Sequence, residues 1–216
     1  DYVWSFTTAA NGGSGSRVTI LTSSQISQAS SSQSGNDGSA IELGVKFRAS
    51  VGGTITGLRF YKSSTNTGTH IGQLWSSTGT LLGQATFTGE TSSGWQQVNF
   101  TSPIAITAGV TYIAAYHSSA GNYSASINYF TSTVANGPLK NLADGEDGPN
   151  GLYRYTSTPA FPNSSYESSN YWVDVVFSSG STGPDLTAPI VSSVSPAPNA
   201  TGVSTTVSIT AVLSES

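Results

Sequence analysis

Apolar side chains alternate with polar or small ones along much of the chain, and a period of two is the pattern of a β-strand with one buried face. Leu43, Val45 and Phe47 occupy alternate positions of the clearest run. A second alternating run, 54–62, follows the glycine pair 52–53. Two such runs joined by a two-glycine turn predict a half-buried β-hairpin.

Further strand-like runs fill residues 71–130, with Gly, Ser and Thr turns between them. Turn signals about 8–12 residues apart are typical of a β-sandwich of the jelly-roll kind. The run 171–178 is apolar at nearly every position, which predicts a central strand covered on both faces. By contrast, 24–39 is rich in Ser and Gln and predicts a long surface loop. No run predicts a helix of useful length, so we expect an all-β, jelly-roll-like antiparallel β-sandwich.

Composition divides the chain into a central module and two shorter ends. Tyr2, Trp4 and Phe6 share one face of a short strand that could not be stable alone. Because the chain opens on this strand and not on Met, we expect a piece of a longer protein. The expected divisions are a short strand at 1–9, a Gly/Ser linker at 10–16, the sandwich module at 17–178, a second linker at 179–188 and further strands at 189–216.

Low charge limits the classes of partner. Only 8% of the residues are charged, and the net charge is −4 with seven basic residues. We therefore expect neither nucleic acid nor an anionic membrane surface as a partner, since both require clustered Lys and Arg. No apolar run approaches the roughly 18 residues that would span a bilayer, and the absence of Cys excludes disulfides and thiolate metal ligands. A hydroxyl-rich, weakly charged β-protein is typical of secreted bacterial proteins, so we expect an extracellular or cell-surface location.

Aromatic side chains are the first candidates for a binding site. A sugar ring stacks its apolar face on an exposed aromatic ring, while its hydroxyls need polar partners at the edges. For Trp95 and Trp172, positions in strand-like runs favour the core instead. Tyr166 and Tyr171 lie near the irregular segment that precedes the last strand of the module, where a groove could form. The candidate ligand-binding residues are Trp75, Tyr61, Tyr116, Tyr123, Tyr153 and Tyr155.

A glycine-rich acidic loop at 142–151 is the second candidate site. Carboxylate and amide oxygens on such a loop are the ligands that Ca²⁺ prefers, so the loop is a candidate calcium site. Its spacing differs from the twelve-residue calcium loop, and this favours a solvated Asp-Gly turn over a metal site. Asn36 and Asp37 are further oxygen donors that another loop could contribute. The candidate metal ligands are Asp144, Glu146, Asp147 and Asn150.

No arrangement of residues predicts catalysis, and we do not expect an enzyme. A glycosidase needs two carboxylates at a set separation, and a hydrolase of the nucleophile-elbow type needs a Gly-x-Ser-x-Gly turn. Neither pattern is present. His70 and His117 lie at strand ends, where a solvent-exposed or a hydrogen-bonding role is expected. The carboxylates outside the acidic loop are scattered, and the main ones are Glu42, Glu90, Glu167 and Asp174.

Three basic residues fall on the polar face of the predicted hairpin: Lys46, Arg48 and Arg59, with Glu42 nearby. Opposite charges across a strand pair contribute about 0.2–1 kcal/mol each. The pattern predicts a cross-strand charge ladder, and recognition of an acidic glycan is the alternative.

Longer motifs give a family resemblance. They are ELGVKF at 42–47, GTITGLRFYK at 53–62, GWQ at 94–96, DGEDGPNG at 144–151 and NYWVDVVF at 170–177. Through them, residues 17–178 resemble the bacterial family called domain of unknown function 4082. The resemblance implies a β-sandwich module of large extracellular proteins, often beside Ig-like or carbohydrate-active domains, and it brings no catalytic residues.

The two ends resemble a different kind of domain. PIVSSVSP at 189–196, NATGV at 199–203 and VLSE at 212–215 resemble the opening of tandem bacterial Ig-like domains, and YVWSFTT at 2–8 resembles a closing strand of that type. We therefore expect partial Ig-like strands at both termini. Neighbouring Ig-like domains of the same or another copy would then be partners.

Two functions are expected from these features. The first is a non-catalytic extracellular module of a large multidomain bacterial protein, which binds a polysaccharide, a cell-surface glycan or another surface ligand. The alternative is a structural spacer or self-assembling unit of an adhesin or extracellular filament, because incomplete terminal strands could pair between chains. No cofactor is required by the sequence, and calcium, through the acidic loop, is the one candidate.

Overall fold

A computed structural model describes residues 17–30, 33–179, 191–204 and 206–213, which belong to two units, 1–180 and 181–216. In the described part of the first unit, a helix, α1 (Ser23–Ser30), and a 3-10 turn (Tyr129–Thr131) accompany many strands. The strands are β1 (Arg17–Val18), β2 (Gln33–Asn36), β3 (Ile41–Ala49), β4 (Gly53–Lys62), β5 (His70–Ser76), β6 (Leu81–Thr86), β7 (Gly94–Ile106), β8 (Tyr112–Ser118), β9 (Asn122–Ala125), β10 (Val134–Asn136), β11 (Leu139–Asn141), β12 (Leu152–Tyr155), β13 (Ser164–Ser165) and β14 (Val173–Ser178).

Eight of these strands form two facing sheets. One sheet has the order β1-β14-β4-β7, and the body of the other has the order β3-β8-β5-β6. Numbered from one to eight along the chain, the strands have the orders 1-8-3-6 and 2-7-4-5, which is the double Greek key of a jelly roll. All the ladders between them are antiparallel. The predicted all-β jelly-roll sandwich is therefore confirmed.

Shorter strands extend this framework. β11, paired with β10, and β12, paired with β13, both lie along the free edge of β3, at its two ends. β2 and β9 form a separate two-stranded ribbon, β2–β9. The first and last strands of the sandwich are neighbours, since β1 pairs with β14 through Arg17↔Ser178 and Val18↔Phe177.

The predicted hairpin around Gly52 and Gly53 is wrong. β3 pairs with β8, β11 and β12, whereas β4 pairs with β14 and β7, so the chain crosses from one sheet to the other at the two glycines. Alternation shows which face of a strand is buried, but it does not show which strand is its partner. Both β3 and β4 face the same core, so their patterns look alike although they lie in different sheets. Neither glycine has a left-handed φ. A Cβ at Gly53 would lie 2.5 Å from the Phe177 ring, so glycine is required there by close packing.

The core joins the two sheets through aromatic contacts. The Phe60 ring of β4 stacks on Tyr116 of β8 with centroids 4.5 Å apart, and it meets Phe87 edge to face at 4.8 Å. Because β4 and β8 belong to opposite sheets, these rings link the layers. Burying one such large side chain contributes about 1.5–3 kcal/mol. Val173 to Phe177 of β14 are buried on both faces, so the predicted central strand is confirmed.

The outer face of β14 carries a buried ion pair. Asp174 is completely buried and its Oδ2 lies 2.7 Å from Arg59 Nη2. The same carboxylate accepts hydrogen bonds from the backbone N–H groups of Ile20 and Leu21, each at 3.0 Å. It thereby fixes the segment that leads from β1 into α1.

The segment 24–39, predicted as a loop, contains α1 and β2 instead. Its polar composition gives no sign of the tertiary contacts that stabilise it. Leu21 and Ala29 pack with the buried Trp172. The Gln25 side chain accepts a hydrogen bond from the Thr22 N–H at 2.9 Å and so caps the first turn. A short helix with weak intrinsic propensity forms here because packing stabilises it.

In the second unit, β15 (Val191–Ser195) and β16 (Thr210–Leu213) form an antiparallel pair. The strands predicted at this end are therefore present, while their Ig-like character stays a prediction. The predicted strand at 1–9, the linker at 10–16 and residues 180–188 of the second linker lie outside the described residues. No helix in the described ranges is long and apolar enough to cross a membrane.

Candidate functional site

Four tyrosines and one aspartate meet beside the ribbon β2–β9. The hydroxyls of Tyr123 and Tyr155 each donate a hydrogen bond to Oδ2 of Asp37 at 2.9 Å. Tyr171 contacts the Tyr123 ring edge to face at 5.7 Å, and Tyr153 contacts the Tyr155 ring in the same way at 5.6 Å. We call Asp37, Tyr123, Tyr153, Tyr155 and Tyr171 the tyrosine cluster.

The ribbon positions two members of this cluster. Asp37 directly follows β2, and its N–H donates to the Gly121 carbonyl at 3.2 Å in the turn before β9. Tyr123 of β9 lies opposite Gly35 of β2. A Cβ at Gly35 would lie 2.4 Å from the Tyr123 ring, so the ring rests on the ribbon only because the position is glycine.

Backbone strain is concentrated around a third member, Tyr171. Glu167, Ser168 and Trp172 all have φ between 45° and 55°, a left-handed conformation that is unfavourable for residues other than glycine. The carbonyls of Glu167 and Ser168 accept hydrogen bonds from the N–H groups of Asn128 and Phe130, at 2.7 and 2.9 Å. Neighbouring structure thus holds the strained loop in place, and strain of this kind is frequent at functional sites.

The cluster combines an open ring with fixed polar atoms. Tyr155 is 54% exposed, whereas Tyr171 is 5% exposed and supports the cluster from behind. The hydrogen bond to the Asp37 carboxylate raises the pKa of Tyr155, and burial raises the pKa values of Tyr123 and Tyr171. The phenols therefore stay protonated at neutral pH. Within the described part of the chain, Asp37 Oδ1 accepts no hydrogen bond and no cation pairs with Asp37, so it can accept one from a ligand.

Three of the six predicted ligand-binding residues come together in this cluster: Tyr123, Tyr153 and Tyr155. Tyr171, which sequence reasoning placed near the same segment, joins them. The sequence predicts Asp37 only as an extra metal ligand, and no local pattern reveals its role, because its partners lie 86 and 118 residues away. Tyr166 is exposed but makes no ring contact with the cluster.

The other three predicted residues lie elsewhere. Tyr116 is completely buried in the core, so its ring presents no face to solvent. Trp75 lies on the outer face of the β3-β8-β5-β6 sheet, where the Phe161 ring covers it edge to face at 5.8 Å. Tyr61 is half-buried beside Trp95 and lines a separate cleft.

Within the acidic loop, Asn150 and Asp144 form a structural clamp. Asn150 is completely buried. Its Oδ1 accepts a hydrogen bond from the Lys46 N–H at 2.9 Å, and its Nδ2 donates to the Leu142 carbonyl at 2.6 Å. Asp144 Oδ1 accepts the Asn150 N–H at 2.8 Å. These oxygens hold the loop against β3.

The remaining two acids of the loop pair with cations. Asp147 Oδ2 lies 2.8 Å from Arg48 Nη2, and Glu146 Oε1 lies 2.5 Å from Lys140 Nζ. The hydrogen bond from Lys140 lowers the pKa of Glu146, and hydrogen bonds from Thr111 and Arg48 lower that of Asp147. Across the described ranges, no three His, Cys, Asp or Glu side chains surround a metal position. Calcium binding by this loop stays a prediction.

These contacts also correct the predicted charge ladder. Arg48 and Lys46 of β3 face the acidic loop, since Lys46 Nζ donates to the Asp147 carbonyl. Arg59 belongs to the opposite sheet, where it pairs with Asp174 and lies 4.3 Å above the Trp95 ring. The ladder assumed that β3 and β4 were paired, and it is absent because they are not.

The histidines and scattered carboxylates make contacts inside the fold. His70 Nδ1 lies 2.9 Å from Glu90, which also pairs with Lys62 at 2.7 Å. His117 Nε2 lies 3.0 Å from the Thr156 carbonyl, so both histidines make hydrogen bonds, and because both are buried the solvent-exposed alternative is wrong. Glu42 is completely buried, and burial raises its pKa to about 9.

The fold and the tyrosine cluster together define a jelly-roll β-sandwich domain with an aromatic surface site organised by one carboxylate. The chain belongs to the family described as a domain of unknown function, DUF4082, whose model matches residues 27–173. The family resemblance of the sandwich is therefore confirmed. No curated protein is detectably similar to the chain.

Proposed function

We propose that this chain is a non-catalytic module of a large extracellular bacterial protein and that it binds carbohydrate through the tyrosine cluster. The observation that supports this most directly is the pair of tyrosine hydroxyls, from Tyr123 and Tyr155, that donate to one oxygen of Asp37 at 2.9 Å. This arrangement fixes the half-exposed Tyr155 ring beside Asp37 Oδ1, an oxygen that accepts no hydrogen bond from the described residues. Sugars require that combination, because they present an apolar ring face and hydroxyl groups together.

Pre-organisation favours binding at this surface. The Tyr155 ring is held by its hydrogen bond to Asp37 and by contact with Tyr153, so little conformational freedom is lost when a ligand stacks on it. The carboxylate also affects selectivity, since it repels acidic sugars over about one Debye length. A neutral polysaccharide is therefore the ligand class that the cluster fits best.

The test is a glycan array and an insoluble-polysaccharide pull-down with the full chain and two tyrosine variants. Tyr155→Ala should weaken binding at least about ten-fold, corresponding to roughly 1.4 kcal/mol or more. Tyr166→Ala is the matched control, because Tyr166 is also 54% exposed but lies outside the cluster. Its binding should stay within about two-fold of the parent chain.

Two results would refute the proposal. One is a correctly folded chain that retains no polysaccharide, and the other is an equal loss of binding in both tyrosine variants. Repeating the pull-down with EDTA tests calcium independently, since a loss of binding with EDTA alone would point to the acidic loop.

Self-assembly is a second candidate function, and the β15–β16 pair supports it. Val191 and Val212 of the pair are each 56% exposed, and Ile209, which directly precedes β16, is 84% exposed. Exposed apolar side chains on a two-stranded ribbon whose edges carry no further strand among the described residues favour pairing with the same ribbon of a second copy. Light scattering over a concentration series tests this. A molecular mass of the particles that grows with concentration, and that no longer grows in Ile209→Lys, supports assembly. A constant monomer mass contradicts it.

A further inference from the structure

An irregular segment between β12 and β13, residues 156–163, crosses the outer face of the β3-β8-β5-β6 sheet, and we call it the strap. The Phe161 ring of the strap lies against Trp75 of β5 with centroids 5.8 Å apart. A Cβ at Gly44 of β3 would lie 3.1 Å from Pro162 Cγ, so the strap lies close to the sheet there. The strap thus covers part of this face without being a strand of the sheet.

Three polar side chains are buried on the face that the strap crosses. Glu42 of β3 and Gln73 of β5 are completely buried, and His117 of β8 is 3% exposed. Glu42 lies directly opposite His117 in the ladder between β3 and β8. With its amide oriented to donate to the Ile71 carbonyl at 3.1 Å, Gln73 also donates to Glu42 Oε1. Polar side chains on the outer face of a sandwich are usually exposed, so this burial depends on a cover.

The backbone of the strap contacts two of these side chains. The Ala160 N–H donates to Glu42 Oε2 at 3.4 Å, and the Thr156 carbonyl lies 3.0 Å from His117 Nε2. At its start the strap is also tied to the sheet, because the Thr156 N–H donates to the Ala40 carbonyl at 3.1 Å. Glu42 is therefore in contact with the middle of the strap, and a change in its charge acts there.

No cation among the described residues pairs with Glu42. Its charged or titratable neighbours across the ladders are His117 of β8 and Arg154 of β12. Both direct a nitrogen at a carbonyl of the strap, at 3.0 and 3.4 Å. From β5 comes only the uncharged Gln73, and the strap has no titratable side chain. Burial therefore dominates, and it raises the pKa of Glu42 to about 9.

An ionised Glu42 would need water, and the strap is the side from which water can enter. On either side of β3, the strands β8 and β12 are held by antiparallel ladders. The strap meets the carboxyl group through one long N–H contact, and lifting it breaks fewer interactions than separating strands. We propose that the strap is a pH-sensitive lid, which opens from the sheet when Glu42 loses its proton.

Opening of the strap also affects the tyrosine cluster. Tyr155 directly precedes the strap, so its ring is held partly through the anchored start of the strap at Thr156. An open strap should leave Tyr155 less firmly placed against Asp37 and weaken polysaccharide binding. This consequence rests on the proposed function, whereas the opening itself does not.

Two successive alanines of β8 allow a direct test, because the chain has no cysteine of its own. Both are completely buried: Ala115 packs on the outer face with Trp75, and Ala114 packs in the core between the sheets. The single-cysteine variants Ala115→Cys and Ala114→Cys of the full chain are labelled with the thiol reagent DTNB at a series of pH values. Dividing each rate by that of Ser157→Cys, an exposed position of the strap, removes the pH dependence of thiol reactivity.

The normalised rate of Ala115→Cys should rise about ten-fold per pH unit between about pH 7 and about pH 9, since each opening releases one proton. It should exceed the rate of Ala114→Cys at least about ten-fold, because opening is local. The rise should disappear when Glu42→Gln is added. Ile113→Cys reports on the same face and replaces Ala115→Cys if the added sulfur prevents folding.

Three results would overturn the strap: equal rates at the two alanines, no rise with pH, or a rise that persists in Glu42→Gln. A polysaccharide pull-down at the same pH values separates the strap from the proposed function. Binding should weaken toward about pH 9 in the parent chain and not in Glu42→Gln. PH-dependent labelling without any polysaccharide binding would keep the strap and refute the proposed function.

Discussion

Asp37 controls the ionisation of the tyrosines that it holds. Its carboxylate accepts the Tyr155 hydroxyl, and this hydrogen bond is the main reason why the pKa of Tyr155 is raised. Replacing the carboxylate by an amide in Asp37→Asn removes the negative charge. We expect the pKa of Tyr155 to fall toward its ordinary value, and an ultraviolet titration of tyrosinate measures this shift.

The Tyr123 pKa should fall in the same variant, although burial still keeps it raised. Asp147→Asn provides the control, because Asp147 pairs with Arg48 and lies outside the cluster. Unchanged tyrosine titration in Asp37→Asn would show that the two phenol contacts are not formed in solution.

Glu42 should make the protein less stable at alkaline pH. Its pKa is raised from the ordinary 4.5 to about 9, so the folded state keeps a proton that the unfolded state has released between these values. Stability therefore falls as the pH rises from about 4.5 toward about 9, because folding requires uptake of that proton. Denaturant unfolding of the parent chain at the two ends of this window should show the decrease.

Glu42→Gln should reduce this pH dependence. The amide resembles the protonated acid in size and hydrogen bonding, and it has no charge to desolvate. Glu167→Gln is the control, since Glu167 is an exposed carboxyl and should leave the pH profile unchanged. A profile with the same slope in Glu42→Gln as in the parent would contradict a protonated Glu42.

Sequence reasoning found most of the tyrosines but not the residue that organises them. Tyrosine, as an amphipathic aromatic, is a plausible platform wherever it occurs, so Tyr123, Tyr153 and Tyr155 could be named in advance. Tyr116 could not be separated from them, because alternation along β8 does not reveal that this strand is buried at every position, on both faces. Asp37 could not be found, because its partners are distant in sequence and meet it only through the fold.

The crossover between β3 and β4 gives a test of packing at a single element. Gly53→Ala would place a Cβ 2.5 Å from both the Phe177 ring and the Ser178 carbonyl, and it should destabilise the protein by about 1–3 kcal/mol. Gly52→Ala would meet only the Ile106 carbonyl, at 3.7 Å, and should stay within about 1 kcal/mol of the parent. Denaturant unfolding of both variants measures the difference.

This pair of variants also tests the crossover against a hairpin turn in which both glycines are left-handed. A two-residue hairpin turn of the favoured types uses left-handed backbone, at one central residue or at both. In the crossover, packing alone makes the two positions unequal, and neither glycine is left-handed. Equal destabilisation by both substitutions would therefore argue against the observed connection.

The elements themselves were predictable to different degrees. β3, β4 and β14 have strong apolar patterns, and their positions follow from sequence. Their partners do not, because a strand with one buried face can pair in either sheet of a sandwich. α1 was missed because its polar side chains carry no helical periodicity, and its stability comes from packing with Trp172, more than a hundred residues later.

The second unit should add little to the stability of the chain. Its described apolar side chains are largely exposed, so it has little core of its own. Removing residues 181–216 should shift the unfolding midpoint of the first unit by no more than about 2–4 °C, the equivalent of roughly 1 kcal/mol. Differential scanning calorimetry of the two lengths measures this shift.

The same truncation tests assembly. If the β15–β16 pair mediates self-association, the shorter chain should stay monomeric at concentrations where the full chain does not. Association that persists after truncation would assign the contact to the sandwich unit instead.

The pairing of β1 with β14 decides how the sandwich responds to a pulling force. Arg17 and Ser178 are directly opposite each other, so tension applied to both flanks acts on the same end of one ladder. The ladder bonds would then open one after another, as in a zip, instead of resisting together in shear. β1 has only two residues, but the segment after it is held more firmly, because Asp174 accepts hydrogen bonds from Ile20 and Leu21, Arg59 donates to the Leu21 carbonyl, and both apolar side chains are buried. In a protein tethered at both flanks, β1 would therefore detach at low force, and opening would stop at Ile20 and Leu21 until the force rises.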